Sequence, residues 1–116
     1  MSFEFDNNLP IYIQIVEQIK LNIISGKIKP GERLPSVREL AIQNKVNPIT
    51  MQKALAELED TRLIYTERTN GKFVTEDTAL IEKYKIQYAD ALAERFLSGM
   101  KELGFSEAEA VKYLSK

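Results

Sequence analysis

The sequence predicts a mainly α-helical chain with a small β-hairpin, a winged helix-turn-helix followed by a C-terminal helical segment. Three observations carry that expectation. Leu34-Pro-Ser-Val-Arg-Glu-Leu40 places Ser36 and Glu39 at capping-box spacing, which starts one short helix. Asn47-Pro48 starts another soon after, because asparagine caps well and proline at the first helical position gives up only an orphan N–H. Asn70-Gly71 separates two β-prone runs, Leu63–Glu67 and Lys72–Thr75, and predicts a hairpin with a type I′ turn, both central residues at positive φ.

In chain order, Asn7-Asn8-Leu9-Pro10 reads as a helix start, with Asn8 as cap and Pro10 in the first turn. Ile11, Ile15, Ile19 and Ile23 recur every four residues, flanked by Tyr12, Val16 and Ile24, as a wide stripe facing a core. Gly26 stops this helix where a left-handed backbone is needed, and Pro30-Gly31 turns the chain after a short extended piece. The second helix spans about Val37 to Gln43 and turns inward Leu40 and Ala41. After a tight turn over Gln43–Val46, the third spans about Pro48 to Asp60. Met51, Ala54, Leu55 and Leu58 share its inner face, leaving Ile49, Gln52, Lys53 and Ala56 outside. Two short helices joined this closely form a helix-turn-helix, whose second helix enters the DNA major groove, and the hairpin adds a wing.

The organisation changes after the wing, so residues 1–75 are expected to form the DNA-binding domain and 76–116 a two-helix region. Leu80, Ile81, Tyr84, Tyr88, Leu92, Phe96, Met100 and Leu103 drift around one long helix that Gly104 ends. Ser106 and Glu109 form a second capping box, opening a short helix with Ala110, Val111 and Leu114. About 40 residues cannot build a core alone, so the aromatic stripe packs on the winged domain or on a second copy of the chain. Dimerisation is the preferred reading.

Bulk composition bounds the function. The chain has no cysteine and no histidine, which removes thiolate chemistry, Cys-based zinc sites and the commonest general base, and no cofactor or metal is expected. No clustered carboxylates suggest catalysis. No apolar run approaches the roughly 20 residues of a membrane span, and the acidic N-terminus lacks the pattern of a signal peptide, so a cytoplasmic protein is expected. The net charge of −1 is unevenly spread: residues 11–75 carry +3, while the two flanking segments carry −2 each. The small excess is compatible with phosphate contact without establishing it.

Individual residues carry competing roles. Ser36 is a helix cap first and a phosphate contact second; Asn47 is a cap or a base reader. Arg38 lies in the first turn of its helix, where the macrodipole disfavours a cation, and a phosphate resolves the conflict. Thr50 and Lys53 are candidate phosphate ligands, Gln52 can pair with adenine, and Ile49 can pack on a thymine methyl. Arg33 contacts phosphate or pairs with a glutamate. Arg68 and Lys72 flank the hairpin tip, which either touches DNA or merely covers the core edge.

These residues resemble a known family. Pro10-Ile-Tyr-Ile-Gln14, Pro30-Gly-Glu-Arg-Leu-Pro-Ser-Val-Arg-Glu-Leu-Ala41, Val46-Asn-Pro-Ile-Thr50 and Gly71-Lys-Phe-Val74 resemble the N-terminal domain of GntR-family transcription regulators, over about residues 9–75. The short tail resembles the YtrA subfamily, which has a small dimerisation region in place of a large effector-binding domain. The resemblance implies that Arg38 binds DNA and that Asn47, Pro48, Ile49, Thr50 and Gln52 lie at bases or adjacent phosphates. It also implies that Arg68, Asn70, Gly71 and Lys72 enter the minor groove. Arg62 and Thr69 stand where the family usually has glycines; Arg62 is expected to cost αL strain or change its turn, and Thr69 bears on how deeply the wing inserts.

The leading expectation is therefore a homodimeric regulator, a repressor, on an inverted-repeat operator of double-stranded DNA. The subfamily resemblance adds a link to a transporter operon. A small-molecule effector seated near Tyr84, Tyr88 and Phe96 is a further possible partner. The alternative is a winged helix that binds proteins, toward which Pro48, Ile49 and Ala56 lean. An enzyme is not expected: some relatives fuse this headpiece to an aminotransferase-like domain, for which the chain is too short.

Overall fold

The computed structural model describes residues 1–116, which divide into two compact units, 1–82 and 83–116. In the first unit, α1 (Ile11–Ile24), α2 (Val37–Asn44) and α3 (Pro48–Asp60) precede the antiparallel strands β1 (Ile64–Glu67) and β2 (Gly71–Val74). The core is built from the residues the periodicity selects. α1 and α2 both pack on α3, and Ile15, Ile19 and Ile23 of α1, Leu40 and Ala41 of α2, and Met51, Ala54, Leu55 and Leu58 of α3 are all buried, as are Leu34, Leu63, Ile64 and Val74. Each large aliphatic buried this way contributes about 1.5–3 kcal/mol, so the inward faces fix how the helices dock. No helix is long and apolar enough to cross a membrane.

The helix ends follow their local chemistry, with one exception. Ser36 Oγ accepts from the Glu39 N–H at 3.0 Å while Glu39 Oε1 accepts from the Ser36 N–H, the expected capping box. Asn47 Oδ1 accepts from the Ile49 N–H at 2.8 Å, with Pro48 as the first residue of α3. Asn8, however, does not cap α1. Pro10 holds the cap position with no side-chain bond, and the Asn8 N–H instead donates to Asp6 Oδ1. Two residues too early in the chain, Asn8 cannot reach the first free amides of the helix. Ile11, expected on the stripe, is the first residue of α1 and is 44% exposed.

The hairpin also departs from expectation. Ile64 pairs with Val74 and Glu67 with Gly71, leaving a three-residue loop, Arg68–Asn70. The Asn70 N–H donates to the Glu67 carbonyl, and positive φ falls on Gly71 (+100°) but not on Asn70. A turn closed by glycine in the left-handed region replaces the type I′ turn, and it needs glycine at one position only. A third extended stretch joins the wing: the Leu34 N–H donates to Lys72 O at 2.8 Å, and the Val74 N–H to Glu32 O at 2.9 Å. This pairing ties the start of α2 to β2.

Residues 1–8 lie along the helices, held by side-chain amides. Asn44 Oδ1 accepts from the Phe3 N–H while its Nδ2 donates to the Met1 and Leu40 carbonyls. Gln14, buried on α1, bonds both the N–H and the carbonyl of Asp6.

The long helix α4 (Thr78–Glu102) begins in the first unit and continues into the second. It buries none of its residues: Tyr84, Tyr88, Phe96 and Met100 are half-buried and Leu92 is 60% exposed, while Leu103, just past its end, is 74% exposed. Gly104 (φ +95°) ends it, and Ser106 with Glu109 caps α5 (Glu107–Tyr113) as a full capping box. Here Ala110 is buried, while Val111 and Leu114 remain exposed. A cleft of about 360 Å³ in this unit is lined by Glu94, Leu97, Ser98, Lys101, Phe105, Ser106 and Glu107.

Candidate nucleic-acid interface

Three elements build the site: the N-terminus of α2, the outer face of α3 and the wing. The capping box starts α2 at Val37, so Arg38 projects from its first turn and is exposed. The pairing of residues 31–34 with β2 then brings the wing beside it. The result is a cleft of about 360 Å³ whose lining includes Arg33, Ser36, Arg38, Arg68, Gly71 and Lys72. These six, scattered over forty positions of the sequence and all candidate site residues, share one surface. Arg33 makes no ion pair with a glutamate. Its backbone bridges to Phe73, and its guanidinium lies across Gly71, where an added Cβ would come within 3.2 Å of Nε.

The outer face of α3 carries the rest. Asn47, Pro48, Ile49, Gln52 and Lys53 are exposed and Thr50 is half-buried, while the inner face is fully used by the core. Ile49 is 79% exposed, an aliphatic side chain at the start of a helix with no partner in its own fold. The side chain of Asn47 is engaged as a cap.

Two lysines are held, in contrasting ways. Lys72 Nζ makes an ion pair with Glu59 Oε1 of α3 and a hydrogen bond of 2.9 Å with Thr66 Oγ1 of β1. The bond from Lys72, helped by another from Thr66, holds the Glu59 carboxyl below its ordinary range. The Lys72 side chain is only 14% exposed. Through these contacts Lys72 fastens the wing to α3, with its charge matched by Glu59. Arg68, in the loop itself, is exposed. Lys53 Nζ, by contrast, sits 3.9 Å from the ring centroid of Tyr12 on α1. Nothing in the sequence singled out Glu59, Thr66 or Tyr12 for these parts, because each contact joins elements through the tertiary fold.

Of the two residues at the family's usual glycine positions, only Arg62 has a positive φ. Arg62 adopts φ +67° just past α3, so it bears the left-handed strain the sequence implied. Thr69 has no positive φ, since the turn places that demand on Gly71 alone.

A capped two-helix motif, an exposed second helix and a basic cleft closed by a β-wing define the class of winged helix-turn-helix regulators. The profile of bacterial regulatory proteins of the gntR family matches residues 11–74. The chain belongs to the gntR family. It is 38% identical over 112 residues to the uncharacterised HTH-type transcriptional regulator YhcF of Bacillus subtilis, covering 97% of this chain and 93% of that one. It is 45% identical over 78 residues to the Bacillus subtilis transcriptional repressor YtrA, covering 66% of this chain and 60% of that protein. Among solved structures, a GntR family transcriptional regulator from Listeria monocytogenes superposes with a TM-score of 0.88 at 44% identity, covering 96% and 97% of the two chains. The DNA-binding domain of AraR in complex with an operator matches 65% of this chain and 95% of its own, with a TM-score of 0.58 and 32% identity. These relatives are named as regulators and repressors, not as enzymes.

Proposed function

We propose that the chain is a sequence-specific, DNA-binding transcriptional repressor that acts as a cytoplasmic homodimer on an inverted-repeat operator. The observation that carries this reading is the cleft between α2 and the wing, which Arg33, Arg38 and Arg68 line, together with the exposed start of α3. Three guanidiniums and the Ser36 hydroxyl suit phosphates of a duplex backbone. Alongside them, Gln52 is placed to read adenine and Ile49 a thymine methyl, with Pro48, Asn47, Thr50 and Lys53 at bases or adjacent phosphates. Arg68, Asn70 and Gly71 form the wing tip for the minor groove. The AraR–operator complex supports a duplex as the ligand of this surface.

Residues 1–75 form the reading head and residues 76–116 the dimerisation region. Support for the latter is the exposed Leu92 on α4 and Leu103 just past its end, joined by Val111 of α5 and Leu114 at its C-terminus. A helix of 25 residues that buries none of them lacks the packing that stabilises helices in water. Leu80, Ile81, Tyr84, Tyr88, Phe96 and Met100 complete the proposed interface. Two-fold symmetry of the dimer matches the near-palindrome of the DNA. The YtrA-subfamily resemblance implies a transporter operon as target, and an effector would be sought near Tyr84, Tyr88 and Phe96.

Selection of duplexes from a random pool by the purified protein, with the mass of the complex measured in solution, tests all of this. An enriched inverted repeat bound by two chains is the expected result. A folded protein that enriches no duplex would favour a protein partner for the exposed Ile49 face instead.

A further inference from the structure

We propose that Tyr12 is a positioning residue for DNA binding, its ring seating the Lys53 ammonium beside the recognition face without cancelling its charge. The inference rests on α3 being the recognition helix. Tyr12 is the second residue of α1, off the buried isoleucine stripe and half-buried. Lys53 is in the second turn of α3, one turn beyond Ile49 and next to Gln52 on the exposed face. Its Nζ lies 3.9 Å from the Tyr12 ring centroid, close enough for attraction by the negative face of the ring.

The chemistry of the seat matters. A carboxylate would bind the ammonium and neutralise it, as Glu59 does to Lys72. A ring holds the same group through its quadrupole, keeps the net charge, and leaves the N–H donors that point away from it open to a phosphate. An unseated lysine loses rotamer freedom on reaching an anion; a seated one has lost much of it already, so less opposes binding. The two lysines thus divide the work: Lys72 fixes the wing, and Lys53 is held ready for the duplex.

The test uses the full chain and the duplex it enriches from a random pool. Tyr12→Leu, Tyr12→Phe and Lys53→Ala are compared with the double change Tyr12→Leu/Lys53→Ala, each verified as folded by circular dichroism. Tyr12→Leu is expected to weaken binding about two- to fivefold per chain, the size of an exposed cation–π contact. Tyr12→Phe restores it, and in the Lys53→Ala background Tyr12→Leu has no further effect. Lys53→Ala also lowers the slope of log affinity against log salt by about 0.9 per chain. An equal loss on both backgrounds means that Tyr12 only packs, and overturns the proposal. A second readout needs no DNA: the ring shifts the NMR signals of the Lys53 ε-methylene upfield in the unaltered protein and in Tyr12→Phe, but not in Tyr12→Leu. Unshifted signals in the unaltered protein overturn the proposal even where DNA binds. Normal ring shifts with no enriched duplex overturn the DNA-binding reading and the proposed role together.

Discussion

Glu59→Gln removes one negative charge from the junction of α3 and the wing while keeping an acceptor oxygen there. In the structure Glu59 Oε1 receives Lys72 Nζ and the Thr66 hydroxyl, the latter at 2.5 Å. A hydrogen bond between charged groups contributes about 1.5–3 kcal/mol when shielded, and an exposed ion pair about 0–1. Lys72 is 14% exposed at its side chain and Glu59 35%, which places the pair between these limits. The amide should therefore cost about 1 kcal/mol, or roughly 4–8 °C in melting temperature for a small domain. Because folding lowers the Glu59 pKa, the stabilisation is present above the unfolded value near 4.5 and fades as pH falls through the folded value. Thermal unfolding of the wild type, Glu59→Gln, Lys72→Met and the double variant, at pH 7 and at pH 3, measures the coupling. Zero coupling at pH 7, or undiminished coupling at pH 3, refutes the reasoning. The same variants decide the role of Lys72 on DNA: Lys72→Met should leave the salt slope of binding unchanged. A fall of about 0.9 per chain would show that Lys72 also reaches a phosphate.

Further outcomes follow from the same geometry. Arg62→Gly relieves a left-handed residue at φ +67° and should raise stability by about 0.5–1 kcal/mol, read by urea unfolding; a loss would mean the Arg62 side chain makes a contact of its own. Arg38→Ala should weaken binding to all duplexes alike and reduce the salt slope by about one, whereas Gln52→Ala should relax preference at one or two base pairs in repeated selections. Leu103→Asp alters a side chain 74% exposed in the single chain, so it should leave the secondary structure intact while shifting sedimentation from dimer to monomer. A dimer that survives both Leu92→Asp and Leu103→Asp places the interface elsewhere.

What could be read from the sequence was local in origin. The spans of α2 and α3, the two capping boxes and the inner faces of α1 and α3 all follow from chemistry within four residues, and all but Ile11 on α1 are found in the structure. Failures occurred where a local signal had two solutions or where contacts were distant. Asn70-Gly71 fits a two-residue turn as well as a three-residue loop, and the pairing of Glu67 with Gly71 selects the longer one. The pairing of Lys72 with Glu59 could not be read locally, because Glu59, thirteen positions earlier, becomes its neighbour only after α3 and the hairpin dock. The amide clamps from Asn44 and Gln14 onto residues 1–6 were likewise invisible, since an extended arm has no periodicity. The convergence of Arg33, Arg38 and Arg68 lies between these cases: each was picked singly, and the strand-like stretch at 31–34 brings them together.

The uncovered face of α4 has a consequence for control of transcription. With the dimer proposed above, chains scarce enough to stay apart present only single reading heads, each with half the contacts of the pair. Occupancy of the operator then rises with the square of the chain's concentration over the range where pairing is incomplete. A twofold change in synthesis produces up to a fourfold change in bound repressor, a steep response that requires no effector at all.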